Sequence, residues 1–526
     1  NYEGREQKTW KFKVQPLPDI HFNSDFDGAA DMRYLWALIT IAALLILTAC
    51  VNFINLATAQ ALNRGKEIGV RKVLGGLRSQ LFWQFIVETA IITVSAIVLG
   101  YVITEVTLPH LNTLFETEME LRLFSDYKLP VFLVLATLII VFLSGSYPGL
   151  ILARFQPVLA LKSKLSQSHI GGFSLRRILV VAQFAISQML IIGTIVIAAQ
   201  MNYSKTKDLG FSPDSIVMLP SPTGNLVTQN TFRNRISKIP GVEKLSYCFQ
   251  APAAASNSNT GIRFESRQED EHWNVNMKQG DDKYLSTFNL QLIAGRNFFP
   301  SDTTREFVVN ETLVKKLGFK DPNEVLGKMI SINGATITAP IVGVVRDFYN
   351  YSLRSEIAAI CIMPDYDSYQ QVAVKINTNN MQSTLGAMEK IWNETFPDYL
   401  YSHQFVDERI AEFYRMDTVM FTLIRAFSFI AIFIGCMGLY GLVSFMAVRK
   451  TKEIGVRKVL GADVGNILWL FGKEFSRLLL IAFIIAAPVA WWAMHKYLED
   501  YEYRIDMGIG IFLLAIVITV LIAAVT

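Results

Sequence analysis

The sequence lacks the short motifs on which many enzyme classes depend. It contains no Gly-x-x-x-x-Gly-Lys-Ser/Thr loop, no His-Glu-x-x-His motif and no Gly-x-Ser-x-Gly motif. Its six histidines are scattered, and its four cysteines do not have metal-ligand spacing. The missing loop excludes ATP binding by this chain through a P-loop. The other absences leave no candidate for a catalytic, cofactor-binding or metal-binding residue.

Charged residues are also scarce. Only 18% of the residues are charged and 52% are hydrophobic, whereas a soluble domain has about 25% charged residues. The formal net charge of +4 is too small to indicate a nucleic-acid partner. Together these values favour a protein that is partly embedded in a lipid bilayer.

Seven long apolar runs support a membrane location, because each approaches the ~20 residues that span a hydrocarbon core. The runs cover residues 34–60, 85–107, 129–152, 177–200, 418–447, 475–497 and 508–526. The loops 63–84, 153–177 and 449–474 are rich in lysine and arginine, and the alternate loops are acidic. Because cytoplasmic loops carry the excess of basic residues, these three loops are predicted to be cytoplasmic and segment 201–415 to lie outside. The runs carry ionisable side chains only near their ends, which argues against an ion or proton pathway.

One stretch of the chain occurs twice. The sequence Lys-Glu-Ile-Gly-Val-Arg-Lys-Val-Leu-Gly stands at 66–75 and again at 452–461, an offset of 452 − 66 = 386 residues. Each copy joins two apolar runs, so the repeat predicts two equivalent segments of one or two helical turns, interrupted by glycine. Anchoring to anionic lipid would require the positive charge but not ten identical side chains. Docking of both copies on the same kind of partner surface accounts for the charge and for the identity.

The docking hypothesis names residues in both copies. On a helix, Ile68, Arg71 and Lys72 share one face, and Val70 and Leu74 belong to a neighbouring face. Glu88 and Glu474 recur at the same offset and are candidates for orienting the two segments. The candidate docking residues are Lys66, Glu67, Ile68, Gly69, Val70, Arg71, Lys72, Leu74 and Gly75, with Lys452, Glu453, Ile454, Gly455, Val456, Arg457, Lys458, Leu460 and Gly461.

Segment 201–415 mixes strand and helix signals. The order strand 372–376, helix 381–396, strand 401–406 predicts a split βαβ unit within an α+β domain, and residues 251–260 read as a flexible loop. Further strands are predicted at 216–219, 307–309 and 341–345, and a further helix at 311–317. Cys248 and Cys361 lie in this segment, and their spacing leaves open whether they pair. The helices at 177–200 and 418–447 are predicted to continue past the bilayer as a stalk.

Both copies of the repeat resemble the loop signature of FtsX/MacB-like ABC-transporter permeases, the type VII group. The segments Ser146–Gly149, Lys207–Phe211 and Gly343–Phe348 are similar to other parts of that family. The resemblance implies a polytopic α-helical membrane protein, with seven spans here, and an α+β extracytoplasmic domain. It also implies a tandem two-unit form that is truncated at both ends.

The resemblance divides the chain as follows. The predicted parts are the end of a first extracytoplasmic domain (1–30), a three-helix membrane part (31–161) with cytoplasmic loop 61–84, a cytoplasmic linker (162–176), the first helix of the second unit (177–200), the extracytoplasmic α+β domain (201–415), and a second three-helix part (416–526) with cytoplasmic loop 448–474.

A permease of this family would couple ATP hydrolysis by a separate cytoplasmic ATPase to movement of its extracytoplasmic domain. The outcome would be mechanotransmission, or export of a drug, peptide or lipoprotein from the periplasm or outer leaflet. The resemblance implies two ATPase copies on the two loops, no directly bound cofactor, a location in the bacterial inner membrane, and room for a periplasmic or outer-membrane accessory protein. The residues alone leave open a membrane-anchored sensor or regulator of a cell-envelope process with no transport of its own.

Overall fold

The computed structural model describes residues 14–17, 32–63, 65–123, 127–154, 172–222, 225–449, 451–461 and 463–526. The predicted end of a first extracytoplasmic domain (1–30) lies outside the described residues except for 14–17, and most of the linker 162–176 lies outside them too. The chain forms two compact units. The helix unit comprises Asn1–Ala198, Val419–His495 and Met507–Thr526, and the sheet unit comprises Ala199–Thr418 and Lys496–Asp506.

Each of the seven apolar runs forms a helix. Within the described residues the helices are α1 (Met32–Asn63), α2 (Gly65–Val73), α3 (Arg78–Phe115), α4 (Lys128–Arg154), α5 (Gly172–Thr206), α6 (Leu226–Ile236), α7 (Tyr284–Thr287), α8 (Glu311–Lys316), α9 (Met381–Thr395), α10 (Val406–Glu412), α11 (Arg415–Arg449), α12 (Thr451–Val459), α13 (Val464–Leu498) and α14 (Ile509–Val525). Six of them, α1, α3, α4, α5, α11 and α13, are long and apolar enough to cross a membrane, and α14 is a shorter apolar helix. At 17 residues, α14 is at the short end of the range for a span.

Small residues let the membrane helices pack closely. In α4, Gly145 and Gly149 face Ile86 and Phe82 of α3, and a methyl group added at either glycine would approach those side chains to 3.0 Å. In α11, a methyl group at Gly438 would come within 2.6 Å of Asn52 Oδ1 on α1. Lipid tails give little hydrophobic drive for helix association, so close backbone approach and polar contacts supply much of the attraction.

Helix α5 is the most buried of the six long helices. Its polar side chains bond to neighbouring helices, with Gln183 Nε2 donating to the Ile434 carbonyl at 3.3 Å and Thr194 Oγ1 lying 2.8 Å from Ser428 Oγ. Asn52 lies beside Gln183 at Gly438. The polar residues of the apolar runs thus lie where helices meet.

The sheet unit contains two sheets built from eleven named strands. The strands are β1 (Ile216–Pro220), β2 (Val242–Cys248), β3 (Ser258–Phe264), β4 (Asn274–Gln279), β5 (Leu292–Gly295), β6 (Phe307–Asn310), β7 (Met329–Ile332), β8 (Ile337–Val345), β9 (Ile360–Met363), β10 (Gln371–Ile376) and β11 (Gln404–Phe405). The smaller sheet has the order β11-β1-β10-β2, and β1 is antiparallel to both β10 and β11. Because β1 lies between them, β10, α9 and β11 form the predicted split βαβ unit. Trp392 and Phe232 meet edge to face where α9 and α6 cover one side of this sheet.

The larger sheet has the order β5-β8-β6-β9-β4-β3-β7. The first half of β8 also pairs with β7, from Met329 opposite Pro340 to Ile332 opposite Ile337. The strands β8-β6-β9-β4-β3-β7 therefore form a closed ring. The enclosed core is aliphatic and aromatic, with Val309, Ile330 and Ile341 fully buried.

Two sequence expectations fail in whole or in part, and the question of whether two cysteines pair is answered. Residues 251–260 are not a flexible loop: Ala251 and Ala253 are buried in the core, and strand β3 begins at Ser258. Cys248 and Cys361 are both free and buried, on strands of different sheets, so they do not pair. Helix α5 does continue beyond residue 200, to Thr206, whereas the chain before α11 does not extend that helix: it forms the separate helix α10 and turns at 413–414.

Candidate functional site: two elbow helices

The two copies of the repeated decapeptide fold alike. Each forms a nine-residue helix, α2 or α12, followed by a leucine and a glycine. Gly75 has φ +94° and Gly461 has φ +89°, the left-handed conformation that glycine adopts without a Cβ clash. The amide of each glycine donates to the carbonyl three residues earlier, at 3.1 Å in both copies. We call α2 with Leu74 and Gly75 the first elbow, and α12 with Leu460 and Gly461 the second elbow.

The helices are longer than the sequence predicted. Gly69 and Gly455 were expected to interrupt them, but both are helical. An internal glycine weakens a helix by only about 1 kcal/mol relative to alanine. The first elbow offsets that cost through contacts of its own with the bundle.

The first elbow is fixed to the bundle by one face. Ile68 is only 7% exposed and packs on Leu81 and Phe85 of α3. Arg71 forms an ion pair with Glu67 at 2.7 Å and donates to Gln84 Oε1 at 3.3 Å. These contacts hold α2 against the first turns of α3.

Lys72 ties the same elbow to a third helix. Its Nζ donates to the carbonyl of Ala153 at 2.7 Å, one of the last carbonyls of α4, which have no partner within their own helix. Partial burial and the nearby positive charge of Arg78 lower the pKa of Lys72. Lys72 therefore helps to position the first elbow on α4.

Glu88 supports the first elbow indirectly. Its Oε1 accepts from Gln84 Nε2 at 3.2 Å, and Gln84 in turn accepts from Arg71. The position that corresponds to Gln84 in the second copy is Leu470. The second elbow keeps the internal ion pair, with Arg457 and Glu453 2.9 Å apart. The side chains of Lys66, Lys452 and Glu474 lie outside the described ones.

The opposite face of each elbow is apolar and open to solvent. Val70, Val73 and Leu74 are 51%, 65% and 81% exposed, at helical positions i, i+3 and i+4. Their counterparts Val456, Val459 and Leu460 are 60%, 88% and 79% exposed. We call these two sets the elbow apolar faces. Val73 and Val459 were not among the candidates from the sequence, although their spacing of three from Val70 and Val456 marks the same stripe.

Both elbows lie at the same end of the helix unit. Leu44 of α1 packs in one cluster with Ala431 of α11, Asn52 lies against Gly438, and Leu56 lies against Gly441. The pairing advances in the same direction along both helices, so α1 and α11 are parallel. The carboxyl ends of these two helices, which lead directly into α2 and α12, are therefore at one end.

The ends of the helices that flank the other basic loop meet there too. The bond from Lys72 to Ala153 brings the carboxyl end of α4 to the first elbow. Helix α5 is antiparallel to α11, since Gln183 contacts residue 434 and Thr194 contacts residue 428, so its amino end lies at the elbow end.

Among the described residues, no three histidine, cysteine, aspartate or glutamate side chains are grouped so that they could hold a metal ion. The chemistry available at the elbows is that of a binding surface. Each offers a short apolar stripe next to arginine and lysine side chains, and the helix of the first elbow is held against α3 and α4 by its other face.

The helix unit and the sheet unit match two family descriptions. The FtsX-like permease C-terminal family matches residues 39–157 and 425–526, which contain the two elbows. The MacB-like periplasmic core domain family matches residues 179–391. The first match falls on both copies of the repeat, which supports the duplication inferred from the sequence.

The chain is also similar to known proteins. It is 22% identical over 298 residues to the uncharacterized ABC transporter permease YknZ of Bacillus subtilis (strain 168). The alignment covers 54% of this chain and 72% of that protein. The periplasmic region of MacB from Actinobacillus actinomycetemcomitans aligns with 38% of this chain and 92% of its own, at 13% identity and a TM-score of 0.28. The extracellular domain of the ABC-type transporter YknZ from Gram-positive bacteria aligns with 36% of this chain and 97% of its own, at 16% identity and a TM-score of 0.26.

Proposed function

This chain belongs to the ABC-transporter permeases of the FtsX/MacB type, and on that premise we propose that its two elbows dock on a separate cytoplasmic ATPase. The observation that carries the proposal is the pair of elbow apolar faces, which repeat the same exposed valines and leucine at two places on one end of the helix unit. These 526 residues contain no P-loop, and the proposal therefore assigns the ATP-dependent step to a partner.

The charge pattern supports a cytoplasmic position for the elbows. Loops rich in lysine and arginine remain on the cytoplasmic side of a membrane, and the three basic loops of this chain are flanked by helix ends that meet at the elbow end. The sheet unit corresponds to the periplasmic domain of the family. Two elbows then offer two docking positions, which fits two ATPase copies.

A second argument concerns what the elbow apolar faces bind. Exposed apolar side chains of this size, next to charges, are typical of protein contact sites. The competing role is anchoring in anionic lipid, in which the faces would enter the membrane surface. The glycine turn that follows each helix and the bracing by Ile68 and Lys72 set the direction of the first elbow, and a lipid surface would not require this.

ATP-driven closure of the ATPase pair would push the elbows, and the long helices would carry the displacement to the sheet unit. Such transmission requires the two nucleotide states of the ATPase to bind the elbows with different free energies. The function would be mechanotransmission, or export of a drug, peptide or lipoprotein from the outer side of the membrane. Ionisable groups are rare within the spans, which is consistent with a substrate that does not follow a polar route through them.

The test is co-purification of an ATPase with the full chain from native membranes, scored by ATP hydrolysis and by identification of a P-loop protein. We expect wild type to recover the ATPase and the double variant Leu74→Asp/Leu460→Asp to lose it, because each change buries a carboxylate at the contact. The matched control is Leu400→Asp, at a leucine of the sheet unit that is 93% exposed.

The control should recover the ATPase as wild type does. Equal recovery by the double variant, with normal membrane insertion, would contradict docking at the elbow apolar faces. If the elbows of the double variant no longer bound to anionic vesicles but the variant still recovered the ATPase, the faces would be lipid anchors.

A further inference from the structure

One loop of the sheet unit contains an arginine that is paired with a buried carboxylate, and neither the family nor the elbows account for this pair. The loop joins β8 to β9 and spans residues 346–359. Arg354 on this loop donates to Asp417 Oδ1 at 2.7 Å, and the Asp417 side chain is 1% exposed. Asp417 lies in the first turn of α11.

Two tyrosines complete the cluster. The Arg354 guanidinium lies over the ring of Tyr501 at 4.7 Å and donates to its hydroxyl at 3.3 Å. The hydroxyl of Tyr497, in the last turn of α13, donates to Asp417 Oδ1 at 3.3 Å and is 3.3 Å from the hydroxyl of Tyr501. Arg354 is therefore held directly by the start of α11 and by the segment that follows α13, and the end of α13 joins the same cluster through Tyr497.

The backbone beside Arg354 is held by the same segments. The Leu353 amide donates to the hydroxyl of Tyr414, just before α11, at 2.9 Å. The Leu353 carbonyl accepts from the Tyr503 amide at 3.1 Å. Gln200, near the end of α5, brackets the same segment by donating to the Tyr503 carbonyl and accepting from the Ile505 amide.

The first half of the loop bonds to the segment just before β3 and, through that segment, to β4. The Asn350 carbonyl accepts from the Ala254 amide and from Asn257 Nδ2, both at 3.2 Å. Asn257 Oδ1 in turn accepts from the buried ammonium of Lys278 on β4 at 2.7 Å. The loop is thus connected to the sheets through Asn350, and to the end of α5, the start of α11 and the end of α13 through the hydrogen bonds around Leu353 and Arg354.

The helices that hold Arg354 also carry the second elbow. Helix α11 is continuous from Arg415 to Arg449, and its 35 residues span about 52 Å at 1.5 Å per residue. The second elbow follows it directly, and α13 returns over another 35 residues to Leu498. Asp417 thus lies in the first turn of α11, and the second elbow follows the last turn of the same helix.

We propose that Arg354 is the coupling residue of the sheet unit, through which displacement of the second elbow reaches the sheets. The inference rests on the proposed function, since it assumes that an ATPase moves the elbow. Planar guanidinium–carboxylate bonding fixes direction as well as distance, and stacking on an aromatic ring adds to it. Because the contact is directional, a tilt or shift of α11 would move Arg354 and its loop. An apolar contact could slide instead and would leave the loop in place.

The test measures whether nucleotide still moves the sheet unit when the pair is broken. Spin labels are placed at Leu400→Cys in the sheet unit and at Glu118→Cys in an exposed loop of the helix unit. The background carries Cys436→Ser, because Cys50, Cys248 and Cys361 are buried. The distance between the labels is compared with and without ATP and vanadate, in the complex of the full chain with the ATPase that co-purifies with it.

We expect the nucleotide-dependent change in distance to be present in wild type and lost in Arg354→Glu, while the complex keeps its ATPase rate. The exchanged pair Arg354→Glu/Asp417→Arg should regain at least part of the change. The matched control is Arg263→Glu, which breaks an Arg–Asp contact of 2.9 Å elsewhere in the sheet unit and should move as wild type does. If Arg354→Glu does not assemble, Asp417→Asn carries the same comparison with the shape of the side chain preserved.

A full distance change in the broken-pair variant, with the ATPase bound, would overturn the coupling role and leave elbow docking intact. A wild-type chain that binds no ATPase would overturn both. Loss of movement in Arg263→Glu as well would also overturn the coupling role, because the effect would then be general destabilisation.

Discussion

The sharpest quantitative expectation concerns the leucines of the elbow apolar faces. Leu74 and Leu460 are 81% and 79% exposed in the free chain, so almost all of their burial remains to be gained on docking. Leucine to alanine removes three carbons, and a buried carbon contributes about 0.8 kcal/mol. Scaled to four fifths, each truncation should cost about 2 kcal/mol of binding free energy.

At about 1.4 kcal/mol per tenfold, one truncation should weaken ATPase binding roughly 30-fold and both together roughly 1000-fold. The assay is a fluorescence titration of the detergent-solubilised full chain with the purified ATPase. The two single variants Leu74→Ala and Leu460→Ala and the double variant are compared, because distant and independent contacts add. An additive double effect would show that both elbows engage the ATPase together.

The matched control for this titration is Leu400→Ala, the same change at an exposed leucine of the sheet unit. It should bind within twofold of wild type. The reasoning is refuted if both elbow truncations also bind within twofold, since no hydrophobic burial would then occur at the faces. An effect from only one elbow would refute the equivalence of the two copies.

Three further outcomes follow from the structure. Gly438→Ala should weaken α1–α11 packing by about 1–3 kcal/mol, because its Cβ would lie 2.6 Å from Asn52 Oδ1. Gly386→Ala, in an open part of α9, should instead stabilise the chain by about 0.5–1 kcal/mol. Thermal unfolding of the full chain in detergent checks both variants. Burial lowers the pKa of Lys278 from 10.5 to about 7, so between those values the unfolded chain holds a proton that the folded chain does not, and stability rises with pH. The free energy of unfolding should therefore increase by about 2 kcal/mol from pH 7 to pH 9 in wild type, and this increase should be absent in Lys278→Met. Hydrogen exchange of the β4 amides measures it, with wild type and variant compared at each pH. An equal increase in the variant would contradict the prediction. Cys361 is fully buried and burial raises its pKa, so it should react with N-ethylmaleimide only when the sheet unit unfolds; rapid labelling of the folded chain would contradict its position.

The first elbow shows a division of labour between its two faces. One face contacts α3 and α4 through Ile68, Arg71 and Lys72. The other face is exposed and consists of Val70, Val73 and Leu74. A docking helix needs both properties, because a partner can push only a helix that is held from behind.

The sequence by itself determined the elements whose signals are local. Apolar runs of about 20 residues and turn residues act over short stretches of chain, so the seven helices, the two elbows and the β10–α9–β11 unit were all predicted. The repeat predicted two equivalent elbows because identical decapeptides have identical local preferences. The predicted interruption by glycine was wrong in both elbows: the cost of an internal glycine is small, and in the first elbow tertiary contacts offset it.

Tertiary structure alone decided which side chains are free and which are held. Val73 and Lys72 are neighbours in the repeat, yet one is exposed and the other bonds to a carbonyl 81 residues away. Arg354 and Asp417 are 63 residues apart, and no local pattern marks them as partners. The physical reason is that packing between distant segments sets burial and pairing, whereas sequence patterns report only what each segment prefers before it meets the others.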